Sequence, residues 1–219
     1  LMTLFPYTTL FRSQAVQVDN LQIRVAGSYV QNPAKSAAVN FDGLTSVEAI
    51  DANAWHVGSA SSPDYTDGGL RVSDGKLSFF NAADGSVISS KEKFQNFVLQ
   101  FDVPYIEREG QEDDDGNITR TVSTWIGLTF GMESAETLFS AENQKMIYMG
   151  PGTIDLLNAK FDDGSTRIWA PQDLWNTDFA GKTVTVRLVA KDNSLSLAYR
   201  VEGEDESVLD TPKAVISNI

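Results

Sequence analysis

The sequence predicts an all-β chain folded as a two-sheet antiparallel sandwich, with one short helix at most. Three observations carry this expectation. Short segments with an apolar residue at every second position recur along the chain. Turn signals built from Gly, Asp and Asn separate them at short intervals. Only Ser134 to Asn143, with Glu136, Glu142 and Ala residues around Leu138 and Phe139, reads as helical.

In order, the first thirteen residues stand apart. LMTLFPYTTLFRS is a poor secretory signal, because Pro6, Thr8 and Thr9 interrupt any apolar core and Arg12 lies at the wrong end. Thr3 to Ser13, TLFPYTTLFRS, resembles without a gap the conceptual translation of a widely used short-read sequencing adapter. On that reading residues 1–13 are foreign and the coding region begins near Gln14. Gln17 to Val25 alternates with Leu21, Ile23 and Val25 on one face, the pattern of a half-buried strand. GSYVQNPAKSAA then reads as a linker.

A denser series follows. Gly69 to Val72 and Lys76 to Phe80 flank Asp74-Gly75, a dipeptide suited to a tight hairpin because it tolerates positive φ. Phe94 to Val103 places Phe97, Leu99, Phe101 and Val103 on one face. Gly110 to Asn117 is an acidic hairpin tip, and Thr121 to Phe130 turns Ile126, Leu128 and Phe130 inward. Met146 to Met149, Thr153 to Leu157 and Thr166 to Trp169 are shorter strands. Thr183 to Val189 and Ser194 to Val201 close the series, with Val184, Val186 and Leu188 facing the core beside Leu195, Leu197 and Tyr199.

Composition sets outer bounds. In 219 residues, 42% hydrophobic and 21% charged, the chain has the make-up of a globular protein. Thirty acids against 17 bases give a net charge of −13, which disfavours nucleic acid and anionic lipid as partners. The absence of cysteine excludes disulfides, thiolate metal sites and cysteine nucleophiles, and leaves the compartment open. No apolar run approaches the roughly 20 residues that span a bilayer, so membrane insertion is not expected.

The segments GGLRVSDGKLSF, KFQNFVLQFDV, TWIGLTFG and TVTVRLVAKDNSLSLAYRVEG, in that order, resemble the concanavalin A-like jelly roll, in particular its laminin-G-like and 3-keto-glycoside-hydrolase-like bacterial modules. The resemblance covers roughly residues 40–219. It implies a jelly-roll sandwich over 37–219 and a secreted or cell-surface setting among neighbouring modules of a longer chain. Sugar-binding modules, adhesin domains and some enzymes share this fold. Modules of this kind often end in a strand with an Asp-Asn pair, and Val18 to Ile23 looks like one. Residues 14–36 are therefore read as strand and linker from a preceding module, or as this module's own first strand. Either way the strand is expected to pair within the sandwich, at an edge left vacant by a truncated C-terminal strand.

Site chemistry is sparse. His56 is the only histidine, follows Trp55, and has no Gly-x-Ser-x-Gly elbow near it. Paired carboxylates for glycoside hydrolysis must face each other across a groove. The E-x-D-x-x-E spacing of the laminarinase-type branch is absent, and Glu202-Gly203-Glu204-Asp205-Glu206 is a charged turn. Calcium is the ion to consider. Asp113 and Asp115 lie in an acidic run whose EF-hand alignment would put Gln111 at position one and Val122 at position twelve, which is no EF-hand. Asp162 with Asp163, and Asp64 with Asp67, are further oxygen clusters that also read as plain turns.

Aromatic and polar residues on outward faces suggest a sugar site instead. Trp125 has the parity opposite to the apolar face of its strand. Gln100 and Asp102 take the outward parity on another strand, and Arg187 and Arg200 on the C-terminal pair. Trp169 and Trp175 flank an irregular stretch suited to a rim. Sugar rings stack on aromatic faces and their hydroxyls need paired donors and acceptors. The competing reading places Trp125 under a loop in a second small core. The expected function is a non-catalytic carbohydrate-binding or adhesion module, with a structural spacer in a repeat array or a glycoside-acting enzyme as alternatives.

Overall fold

A computed structural model describes residues 2–8, 15–25, 36–58, 70–80, 87–106, 110–112, 118–120, 124–135, 144–150, 153–169 and 182–217. In chain order the strands are β1 (Met2–Thr8), β2 (Ala15–Val25), β3 (Ser36–Val39), β4 (Trp55–Gly58), β5 (Leu70–Ser73), β6 (Lys76–Phe80), β7 (Val87–Ser90), β8 (Phe97–Ile106), β9 (Gly110–Glu112) and β10 (Ile118–Arg120). They continue as β11 (Thr124–Phe130), β12 (Lys145–Gly150), β13 (Thr153–Leu157), β14 (Arg167–Trp169), β15 (Val184–Lys191), β16 (Ser194–Val201) and β17 (Ala214–Ser217). Two single-turn 3-10 helices, η1 (Val47–Ala49) and η2 (Glu206–Asp210), are the helical elements among the described residues.

The strands form two large antiparallel sheets, and β9 and β10 pair separately as a small hairpin sheet. Sheet 1 runs β14-β13-β12-β11-β1-β7-β4, and sheet 2 runs β17-β16-β15-β8-β2-β6-β5, with β3 also paired to β2. One core joins them. Leu99, Phe101, Val186, Leu188 and Leu197 of sheet 2 pack with Ile126, Leu128, Ile147, Met149 and Ile154 of sheet 1 in a single buried cluster. The expected all-β sandwich is the observed one, and the inward parities read for β8, β11 and β15 are those of the core. Tyr199 shares that face but is half-buried, with the Lys213 ammonium 5.8 Å from its ring centre.

Turn chemistry fixes two of the two-residue hairpins. Asp74 and Gly75 both have positive φ, +53° and +72°, between β5 and β6. Asp192 and Asn193 do the same, at +51° and +63°, between β15 and β16. Positive φ at both central residues makes a type I′ turn, whose twist matches that of the strands it joins.

Two features depart from the sequence reading. The strand read over residues 17–25 does pair within the sandwich, but centrally: β2 lies against β8 along one side, and against β6 and then β3 along the other. Strict alternation fails there, because Val18 and Leu21, three residues apart, are both buried. An extra residue at Asn20, held at φ +49°, resets the parity as a β-bulge. β17 pairs with β16 at the edge of sheet 2, where the sequence reading places no strand. The helical stretch read at Ser134 to Asn143 falls, apart from its first two residues, outside the described residues.

β1 overlaps the adapter-like segment. Its backbone lies between β7 and β11, with seven residues in register with β11 and two with β7. Pro6 sits opposite Ile126 and beyond the β7 pairing. A proline has no ladder donor, so it fits a strand only where the neighbour on its nitrogen side makes no demand.

Candidate functional site

The outer face of sheet 2 carries two polar rows across its central strands. In the first, the Asn20 side-chain amide donates to Asp102 (2.9 Å) and the Thr185 hydroxyl donates to the other Asp102 oxygen (2.6 Å). Arg200 adds a longer contact to the Thr185 hydroxyl at 3.5 Å, and its Nε is buried without a partner. In the second row the Arg187 Nε donates to Gln100 at 2.9 Å. The same guanidinium reaches Asp210 at 3.0 Å and Glu206 at 3.6 Å on η2, which packs against β16. Strand register produces these rows, since Asp102 pairs with Thr185 and Thr185 with Arg200, while Gln100 pairs with Arg187.

Gln100, Asp102 and Arg187 thus share one face, as the parity predicts, and are bonded to each other and to their neighbours. The Arg187 side chain is only 13% exposed. Asp19, opposite Asp102, is partly enclosed. Burial raises its carboxyl pKa against the lowering effect of the Asn20 amide, and the Asp42 and Asp102 charges push it further up.

Trp125 lies on β11, in the other sheet from Gln100, Asp102 and Arg187. On the outer face of that sheet Val87 and Met146 are buried with Tyr148 and Leu157 packed against them, and the Trp125 side chain lies outside the described ones. Trp169 ends β14 at the edge of sheet 1, and Trp175 lies outside the described residues.

The remaining candidates occupy turns or the interior. Asp162 and Asp163 are exposed, and Asp163 accepts from the Ser165 hydroxyl and from the Ser165 backbone amide at 2.8 Å, which together lower its pKa. Asp113, Asp115, Asp64 and Asp67 lie outside the described residues. Among the described residues no group of three or more acids and histidines is placed to hold a metal ion. Three of the four acids of the 202–206 turn serve the backbone: Glu202 accepts from Thr183, Glu204 from Val201 and Asp205 from Ser207. His56 is buried in β4 opposite Ser89.

A concave feature of the described structure lies elsewhere, at one end of the sandwich, and the sequence reading did not single it out. A cleft of about 600 Å³ opens between the sheets where β8, β11, β12, β15 and β16 begin or end. Its floor is the end of the core: Phe97 and Phe130 are almost buried, and Phe94 is half-buried against them. Its lips are polar. Gln95, Lys191, Asp192 and Asn193 line it from sheet 2, and Lys145 lines it from the first residue of β12 in sheet 1. Asn96 fixes the 192–193 turn by accepting the Asp192 amide at 3.2 Å. The only cue in the sequence is the pair of aromatic-amide dipeptides, Phe94-Gln95 and Asn96-Phe97, just before a strand.

No family model, curated protein or solved structure matches the chain.

Proposed function

We propose that the chain is a non-catalytic carbohydrate-binding or adhesion module of a larger secreted or cell-surface protein, and that it takes its saccharide in the end cleft. The observation that supports this is the lining: the part-exposed Phe94 ring, on which a sugar ring can stack, edged by amides and charges that can bond its hydroxyls. The polar face of sheet 2 is a weaker candidate, because Gln100, Asp102 and Arg187 already use their polar groups on neighbours. That same closed network favours the spacer reading, in which the module has no ligand of its own.

An oligosaccharide array followed by calorimetry separates the two. The binding reading expects saturable binding by the full chain, weakened about tenfold by Phe94→Ala, as loss of one stacking ring implies. Gln95→Ala, at an exposed rim position, is expected to weaken it without disturbing the core. A chain that binds nothing on the array favours the spacer, and binding that ignores both substitutions places the saccharide outside the end cleft.

A further inference from the structure

Resting on that reading, the geometry points to an N-acetylated amino sugar as the ligand class of the end cleft, selected by the side-chain amide of Asn96. Asn96 lies between Gln95 and Phe97, just before β8, and is only 8% exposed. Its Oδ1 accepts the backbone amide of Asp192 at 3.2 Å. That bond settles how the side chain is turned, because only the oxygen can take a backbone N–H. The Nδ2 group is thereby held in place with two protons to donate, and it meets no acceptor among the described residues. It is not sealed from solvent either. Asn96 lines the cleft with Asp192 and Asn193, so the side on which this donor is open is the cleft. A buried donor in a fixed position favours a ligand that brings it an acceptor, and penalises one that covers it without a partner.

Chemistry narrows the acceptor. A sugar hydroxyl accepts, but it also has its own proton to place. Carboxylate, sulfate and acetamido oxygens accept without that demand. The two anions would enter a molecule of net charge −13, whereas the acetamido carbonyl is neutral. The rest of the acetamido group also finds its match in the lining. Its methyl can rest on the part-exposed Phe94 ring, two residues before Asn96. Its N–H can donate to the Gln95 carbonyl or the Asp192 carboxylate, side-chain groups that make no hydrogen bond among the described residues. Carbonyl, methyl and N–H are thus each provided for by groups adjacent in the chain or joined through the bond between Asn96 and Asp192.

The test titrates the full chain with two matched pairs of methyl glycosides, read by calorimetry and saturation-transfer NMR. N-acetylglucosaminide is set against glucoside, and N-acetylgalactosaminide against galactoside, so that each pair differs at the acetamido group alone. At least one acetamido member is expected to bind about tenfold tighter than its counterpart, as one well-placed hydrogen bond implies. Its strongest saturation transfer is expected at the acetyl methyl. Asn96→Asp keeps an oxygen for the Asp192 amide, removes the donor, and is expected to abolish the preference. The paired comparison on the unaltered chain decides the matter even where Asn96→Asp does not fold. Equal affinity within both pairs, a preference that survives Asn96→Asp, or array hits confined to sugars without an acetamido group overturns this inference and leaves the saccharide reading standing. No binding of any glycoside, together with an empty array, overturns both.

Discussion

Among single residues, Asp19 shows how position can set a cost that composition hides. Its carboxyl is partly buried beside Asp42 and Asp102, so its pKa lies above the ordinary carboxylate value. The folded chain then holds the Asp19 proton more tightly than the unfolded chain does. The stabilisation from that proton is present in acid and is lost as pH rises through the elevated folded value. Asp19→Asn, which keeps an oxygen for the Asn20 amide, is therefore expected to raise the urea midpoint near neutrality. The gain should shrink as pH falls toward the ordinary carboxylate range; a gain that is constant with pH would remove the electrostatic explanation. The sequence gives no sign of this, because Asp19, Asp42 and Asp102 are far apart in the chain. Residue readings that depend only on alternation fared better. Phe97, Leu99, Phe101 and Val103 are all buried, because a strand packed on one sheet face has no other way to place them.

At the level of elements, the legible features were those with local causes. Asp74-Gly75 and Asp192-Asn193 signal their turns within two residues, and β5–β6 and β15–β16 follow from them. What stayed hidden needed partners distant in sequence. The bulge at Asn20 serves a contact 82 residues away, and the end cleft is assembled from four separate stretches of chain. Trp125 illustrates the limit: parity gave its face relative to its own strand, but not that β11 belongs to the other sheet from β8 and β15. The rows on sheet 2 make a prediction at this scale. Arg187 joins β15 to Gln100 on β8 and to Asp210 on η2, so Arg187→Met is expected to cost about 1–3 kcal/mol of unfolding free energy. Denaturant titration measures that loss, and saccharide affinity at the cleft should not change. A drop in affinity at full stability would instead make this face the binding surface.

Across the whole molecule, the two sheets are unequal in how they are held. Sheet 2 is continuous through long ladders from β16 to β6, while sheet 1 depends on β1 to connect β7 and β4 with β11 through β14. A chain starting at Gln14 is expected to expose β7 and β11 as open edges and to self-associate, because unpaired strand edges recruit other chains. Light scattering on that shortened chain, with and without a synthetic peptide of residues 2–8, measures this. Persistence as a well-folded monomer without the peptide would show that sheet 1 closes without β1.

The placing of β1 and β2 also has a consequence in time. Both strands leave the ribosome before most of the strands they pair with, β1 taking a central place between β7 and β11, and β2 between β6 and β8. Their ladders to β6 and β11 wait for segments 59 and 118 positions downstream, as the pairings Val18 with Leu77 and Tyr7 with Trp125 show. Closing such large loops before any contact rewards them slows folding to about the millisecond-to-second range of nonlocal β proteins. During synthesis the wait is longer still, at about 5–20 residues per second. The nascent chain thus spends seconds with two adhesive ribbons exposed, and the yield of native protein is decided by a race between docking and aggregation.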